Sequence, residues 1–207
     1  MFNKAFIFLL VLIALAGCKA DKMEINLNEK ALQSAKSGQE EMVSFEATFS
    51  TFGELDDAQK AQVNAIEDIL ENYIELEGFE LASTDMGFEV IIEGEIPVST
   101  DSANSSAYFL LITQSDILTD YSLIQLKTGS SFDKMSTEMK AINFMLAPDA
   151  FHPTTFKIKG KKLHVIAIAA ENDGEAHLIW KGKVDGRERF KYAGGIFDKT
   201  GAGLFFK

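Results

Sequence analysis

Alternating apolar and polar positions recur along most of the chain and predict a protein rich in β-strands. In residues 42–49, MVSFEATF, the apolar Val43, Phe45 and Phe49 are separated by polar residues. This spacing of two is typical of a strand with one buried face. Residues 23–27 show the same alternation over a shorter length. Further strands are predicted within 79–98, 107–114, 121–129, 156–170, 176–184, 187–197 and 202–207.

Turn signals separate the strands of the C-terminal part. Asp173-Gly174 and Asp185-Gly186 each lie between two apolar runs. Glycine adopts the positive φ that tight hairpin turns require, so both dipeptides predict hairpins and antiparallel neighbours. A hairpin at residues 172–174 pairs residues whose numbers sum to about 346, which would place His164 opposite Lys181 or Gly182.

Two segments instead have the spacing of amphipathic helices. The first is predicted over 57–76, with Asp56 or Asp57 as its N-cap and Gly78 as its stop. Its apolar face consists of Val63, Ile66, Ile69, Leu70, Tyr73 and Ile74. The second helix is predicted within 130–148, where apolar residues recur at steps of three and four, with Ser131 or Asp133 as its cap. A shorter helix of one or two turns is possible over 31–35.

Together these elements predict an α+β fold. The expected architecture is an antiparallel, curved sheet of seven to nine strands with the two amphipathic helices packed on one face. Strong curvature would make this sheet a half-open barrel. Residues 41–207 are expected to form this single domain.

The first 18 residues, MFNKAFIFLLVLIALAGC, have the pattern of an export signal. Lys4 precedes an apolar run that is shorter than the roughly 20 residues of a membrane-spanning helix. The run ends in Leu15-Ala16-Gly17-Cys18, which resembles the lipobox of bacterial lipoproteins. The resemblance implies removal of residues 1–17, a diacylglyceryl group on the Cys18 thiol and a polar tether over 18–40. An ordinary signal peptide with a chance cysteine is the alternative.

The lipobox resemblance also implies a location. It places the protein in the cell envelope, attached to a membrane by lipid on Cys18. Lys19, where an aspartate would resemble an inner-membrane retention signal, favours the outer membrane facing the periplasm if the source is Gram-negative. Because Cys18 is the only cysteine of the chain, no disulfide is expected.

The acidic composition narrows the class of partners. The chain has 31 Asp and Glu against 20 Lys and Arg, a formal charge of −11. Nucleic-acid binding requires a clustered basic surface, so no nucleic-acid partner is expected. A domain lying flat on anionic lipid is disfavoured for the same reason. Surface acid that keeps the protein soluble explains the charge, and a cationic partner is the alternative.

An apolar surplus provides one candidate binding site. The chain has 17 Phe and 7 Met, and methionine recurs at adaptable apolar binding surfaces. The second predicted helix could contribute to a ligand site under the sheet, although the same spacing is typical of core residues. The candidate ligand-binding residues are Phe132, Met135, Met139, Ile142 and Met145.

Candidate catalytic residues are scattered along the sequence. His152 lies in a predicted loop, and His164 and His177 lie on neighbouring strands without the spacing of a metal site. Glu93 and Glu95 are two apart, which places both carboxylates on one face of a strand. No nucleophile motif or phosphate loop is present, and neither a metal nor a cofactor is expected.

The sequence therefore favours a non-enzymatic function. It predicts an envelope lipoprotein that binds a protein partner or a small apolar ligand at the periplasmic face. The alternative is an envelope hydrolase whose site the fold assembles from Glu93, Glu95, His164 or His177.

The lipobox makes a direct prediction. Cys18→Ser should abolish incorporation of labelled palmitate into the protein in its bacterial host, because serine lacks the thiol that carries the lipid. The Lys19→Ser variant leaves the cysteine in place and should remain labelled. Palmitate in the Cys18→Ser protein, or purified wild-type protein that still begins at Met1, would contradict the prediction.

Overall fold

In a computed structural model of the chain, nine β-strands form one continuous sheet. The structure describes residues 20–116, 118–143, 148–172, 175–194, 197 and 201–207, of which 168–172 and 175–179 are described through their backbone alone. The strands are β1 (Lys22–Asn28), β2 (Glu41–Phe52), β3 (Glu75–Thr84), β4 (Gly87–Ser99), β5 (Tyr108–Gln114), β6 (Ser122–Thr128), β7 (Thr154–Asn172), β8 (Glu175–Tyr192) and β9 (Gly203–Phe206). The helices are α1 (Glu29–Lys36), α2 (Asp57–Leu70) and α3 (Phe132–Ile142).

Seven of the strands close into a barrel in the order β1-β2-β4-β5-β6-β9-β7, and β7 pairs with β1 to complete the ring. The strand β3 continues the sheet beyond β4, and β8 continues it beyond β7. Two contacts, β4–β5 and β7–β1, are parallel, whereas the others are antiparallel.

The predicted fold class is therefore wrong. The protein is mostly β, with a closed mixed barrel, two extra strands and three short helices in its described residues. It is not an open antiparallel sheet with two helices on one face. The cause is the parallel pairing of β1 with β7, which joins two strands that are far apart in the sequence.

The segment predicted as a tether contributes β1 to the barrel. Met23, Ile25 and Leu27 are buried, so the alternation over 23–27 forms the strand that it predicts. The backbone is already fixed before β1, because Ala20 N donates to His152 Nδ1 at 2.9 Å and Asp21 N donates to the Thr48 carbonyl at 2.9 Å. Hydrogen bonds thus join residues 20 and 21 to the rest of the structure.

The strand β7 bends at Lys162 and so reaches two different neighbours along one edge. Lys162 has φ 71°, and the ladder with β8 shifts between Lys161 and Leu163, which is the signature of a bulge. Before the bend β7 pairs with β1, and after it β7 pairs with β9. The bend explains how a single strand closes the barrel.

The hairpin of β7 and β8 largely follows its predicted register. Thr154 pairs with Tyr192, so the numbers sum to 346 as predicted, but beyond the bulge His164 faces Lys183 and not Lys181 or Gly182. The predicted turn at Asp185-Gly186 is wrong, because both residues lie inside β8 and pair with β7. The other predicted turn, Asp173-Gly174, lies outside the described residues.

The helices differ from their predicted extents. The helix α2 begins with the predicted Asp56 cap, whose side chain accepts from Gln59 N at 2.8 Å. It ends at Leu70 instead of 76, because the chain from Glu75 onward pairs with β4, and Gly78 lies at an irregularity of β3. The hydroxyl of Ser131 precedes α3 but donates to the Ser105 carbonyl and does not cap the helix.

The barrel interior is filled with large apolar side chains. The largest fully buried residues include Phe109, Phe156, Tyr192 and Phe206. The rings of Phe156 and Tyr192 meet edge to face with centroids 5.7 Å apart. The helix α1 adds Ala31, Leu32 and Ala35 to the same core and contacts β1, β2, β4 and β7.

The Tyr192 hydroxyl is buried without a hydrogen-bond partner among the described residues. An unsatisfied buried hydroxyl costs about 1–3 kcal/mol, so Tyr192→Phe should raise the free energy of unfolding by about 1 kcal/mol. The matched control is Tyr108→Phe, which removes a hydroxyl that donates to the Asp149 carbonyl at 2.6 Å and should lower stability by about 1 kcal/mol. Urea denaturation measures both changes. Equal losses in the two variants would contradict the prediction.

Candidate functional site

A groove opens in the barrel wall where β1 and β2 diverge. Their pairing ends at Ile25 and Phe45, whereas β2 remains paired with β4 back to Glu41. Over the same stretch β1 stays paired with β7 up to Asn28. The two strands therefore separate and leave a groove of about 520 Å³ between β2 and the β7–β8 hairpin.

One wall of the groove contains four basic side chains together with Ile158 and Glu188. Lys157 and Lys159 project from β7, and Arg187 and Arg189 project from β8. The register places Arg189 opposite Lys157 and Arg187 opposite Lys159. Like charges in directly opposed positions are destabilising, so their placement has a cost for folding. Arg187 and Arg189 are also the only two arginines of the chain.

The other wall combines polar and apolar groups. Asn26 Nδ2 donates to Ser44 Oγ at 3.1 Å across the diverging strands. Met42 is 37% exposed and adds an apolar surface, and Glu95 adds a carboxylate from β4. The groove is thus mixed in character, with positive charge concentrated on its β7–β8 side.

Only one of the four basic side chains takes part in an ion pair within the described structure. Lys157 Nζ lies 2.7 Å from Glu24 Oε2, which also pairs with Lys22 at 2.7 Å. Lys159, Arg187 and Arg189 form no ion pair with any described residue. Three cations that line the groove therefore have no ion-pair partner among the described residues, although Glu95 and Glu188 line the same groove.

The charge of the chain is unevenly distributed around this groove. Residues 154–207 contain 11 of the 20 basic residues but only 6 of the 31 acidic ones. Negative charge dominates β4, where Glu89, Glu93 and Glu95 share the outer face. The groove lies where a basic surface meets an acidic one.

The predicted apolar ligand site does not coincide with the groove. Met135 and Met139 are buried in the main core, and Phe132 is half-buried with its ring 5.4 Å from that of Tyr108. Ile142 is also half-buried, and Met145 lies outside the described residues. None of the described members lines the groove, so an apolar ligand at α3 stays a prediction.

The candidate catalytic residues are not brought together in the groove. Glu93 and Glu95 share one face of β4, as their spacing predicts. His164 lies on β7, which is not a neighbour of β4, and its backbone pairs with Lys207. The His177 side chain lies outside the described part. Glu95 alone lines the groove.

His152 lies outside the helices and strands, as its sequence context predicts, and its side chain is buried. Its Nδ1 accepts a hydrogen bond from Ala20 N, and its Nε2 lies 3.1 Å from the Tyr108 hydroxyl. Both ring nitrogens thus fasten the start of the described chain to the barrel. Across the residues that the structure describes, no cluster of His, Cys, Asp and Glu is arranged to hold a metal ion.

The four basic residues of the groove were not predicted as site residues from the sequence, because that prediction considered only the net negative charge of the whole chain. Two features of the sequence indicate these basic residues. Cations alternate with other residues in KIK and RER, and one quarter of the chain reverses the net charge of the rest. What the sequence does not indicate is which surface would face these cations.

Comparison with known proteins provides no name for the site. No protein family matches the chain, and no curated protein is significantly similar to it. Within the described ranges, none of the helices has both the length and the apolar character needed to cross a membrane. Cys18 and the lipobox lie outside the described residues.

Glu24 is 7% exposed, and its carboxylate pairs with Lys22 and Lys157 on the strands next to the groove. Burial acts to raise its pKa, but hydrogen bonds from Lys157 and Lys22 and the charges of both lysines hold the pKa below its ordinary value near 4.5. Because the folded state binds the proton more weakly than the unfolded state, the stability that Glu24 contributes is present above pH 4.5 and is lost as the pH falls through the folded pKa.

Glu24→Gln should therefore lower the free energy of unfolding at pH 7 by about 1–3 kcal/mol. The loss relative to wild type should shrink in urea titrations at progressively lower pH below about 4.5, where wild-type Glu24 is itself neutralised. Glu46→Gln is the control, because Glu46 is more exposed and lies 3.2 Å from Lys22, and should cost about 0–1 kcal/mol. A Glu24→Gln effect that does not vary with pH would refute the charge-based explanation.

Proposed function

We propose that this protein is a non-enzymatic lipoprotein of the bacterial cell envelope that binds a protein partner through the groove. Lipid on Cys18 attaches it to the membrane, and in a Gram-negative source it lies at the outer membrane and faces the periplasm. The partner presents acidic side chains to the β7–β8 wall, and no nucleic acid takes part.

The observation that carries the proposal is the concentration of basic side chains in the groove, where four cations outnumber the two carboxylates and three of them form no ion pair with a described residue. The planar guanidinium of arginine recognises carboxylates through two parallel hydrogen bonds, and it is favoured at interfaces for that reason. Arg187 and Arg189 lie two residues apart on β8, so both side chains can meet one acidic segment. An anionic partner would also relieve the repulsion between the opposed basic residues.

The shape and lining of the groove favour a protein partner over a small apolar ligand. The groove combines exposed Met42 with polar and charged groups, which is a common composition of protein-binding surfaces. Met135 and Met139 of α3 are buried in the core and do not line the groove. The absence of a recognisable catalytic motif in the sequence supports a binding function over the hydrolase alternative.

Charge reversal within the groove tests the proposal. The Arg187→Glu/Arg189→Glu variant of the full-length protein should bind a fluorescent hexaglutamate peptide at least about tenfold more weakly than wild type, since it replaces attraction by repulsion. Fluorescence anisotropy at low ionic strength measures the affinity. A photocrosslinking residue at position 42 should capture an envelope protein in wild-type cells but not in cells with this variant.

The matched control is Lys181→Glu/Lys183→Glu, which reverses the same charge on the same strand outside the groove. This variant should bind the peptide within about twofold of wild type and should retain the crosslinked partner. Equal weakening by the two variants would show a non-specific charge effect and would refute a binding site in the groove.

A further inference from the structure

Two large apolar residues are exposed on neighbouring backbone segments at one end of the barrel. Phe52 at the end of β2 is 65% exposed, and Met86 in the turn between β3 and β4 is 68% exposed. Gly53 N donates to the Met86 carbonyl at 3.0 Å, so the two segments are in contact. We call Phe52 and Met86 the apolar tip. The third large apolar residue exposed in the described part, Met42, lies in the groove.

The local backbone brings the two residues of the apolar tip together. A β-carbon on Gly87 would collide with the Thr51 carbonyl, so only glycine allows the β3–β4 turn to approach the end of β2 this closely. The strand pairing continues to the last residue of β2, where Phe52 faces Gly87. The apolar tip is thus the end of a paired sheet and not a loose loop.

The apolar tip lies at the end of the barrel from which the chain leads back to Cys18. In the β1–β2 ladder, Lys22 pairs with Thr48, and Ser50 N donates to Asp21 Oδ2 at 2.5 Å. Phe52 extends two residues beyond Ser50, or about 7 Å further along β2. Cys18 is two residues from Ala20, so their Cα atoms are at most about 7 Å apart. Cys18 is therefore within about 7 Å of Ala20, at the end of β1 that lies nearer to the apolar tip.

We propose that the apolar tip inserts into the bilayer that holds the acyl chains of Cys18, so that the barrel stands with this end on the membrane. The inference rests on the lipid anchor put forward under the proposed function. The occupant is a lipid surface because the single residue between Cys18 and the buried Ala20, Lys19, leaves no space for a protein between the tip and the bilayer.

The chemistry of the flanking residues defines the kind of lipid. Glu54 and Asp85 lie next to the apolar tip in the sequence and would be at the level of the headgroups. Carboxylates at this depth are repelled by anionic lipids, so the tip favours zwitterionic headgroups. Aromatic and other large apolar residues are the side chains that bury into the boundary between headgroups and acyl chains.

Site-specific fluorescence on the full-length acylated protein tests the inference. Because Cys18 is acylated, a Met86→Cys variant carries a single free thiol for an environment-sensitive dye. In phosphatidylcholine vesicles, lipids with a doxyl group on the acyl chain should quench this dye several-fold more strongly than the same dye on Met42→Cys. Replacing half of the lipid by phosphatidylglycerol should reduce the quenching, because it adds negative charge.

The outcomes separate the inference from the proposal on which it rests. Protein that carries palmitate and floats with the vesicles, but whose dye at position 86 is quenched no more than the dye at position 42, overturns insertion of the tip and leaves the anchor intact. Protein without palmitate overturns the anchor and the inference together. A Phe52→Asp/Met86→Asp variant that stays acylated and folded, with quenching unchanged at a dye on Thr84→Cys, also counts against insertion.

Discussion

The pairing of β1 with two strands at once is the constraint on which the barrel depends. The strand is antiparallel to β2 and parallel to β7, and its residues Met23, Ile25 and Leu27 are buried in the core. Without β1 the ring would be open, and the edges of β2 and β7 would be exposed. The groove opens where the pairing of β1 with β2 ends. The chain toward Cys18 leaves from the other end of β1.

The parts of the fold that sequence patterns predict are local. Alternation identifies β1 and β2, the Asp56 cap identifies the start of α2, and the hairpin register identifies the pairing of β7 with β8 up to the bulge. Barrel closure could not be predicted in this way, because a parallel pairing between distant strands has no local signature. The positive φ of Lys162 could not be predicted from the sequence either, since lysine has no preference for this conformation.

Part of the candidate site could be predicted from the sequence. Alternation places Lys157 with Lys159, and Arg187 with Arg189, on one face of each strand, and the register places the two pairs opposite each other. The wall that contains Met42 and Ser44 could not be predicted, because these residues come near the β7–β8 hairpin only through the pairing of β1 with β7. In α3 the same methionine spacing fits both a core and a ligand pocket, and Met135 and Met139 are buried in the structure.

The distance in sequence between β1 and β7 also affects the order in which the protein can form. Met23 pairs with Thr154, so the strand made early in synthesis has no closing partner until most of the chain exists. Contacts between such distant segments slow folding, because the entropy of a long loop must be lost before they form. A chain with this topology cannot close its barrel until most of its synthesis is complete.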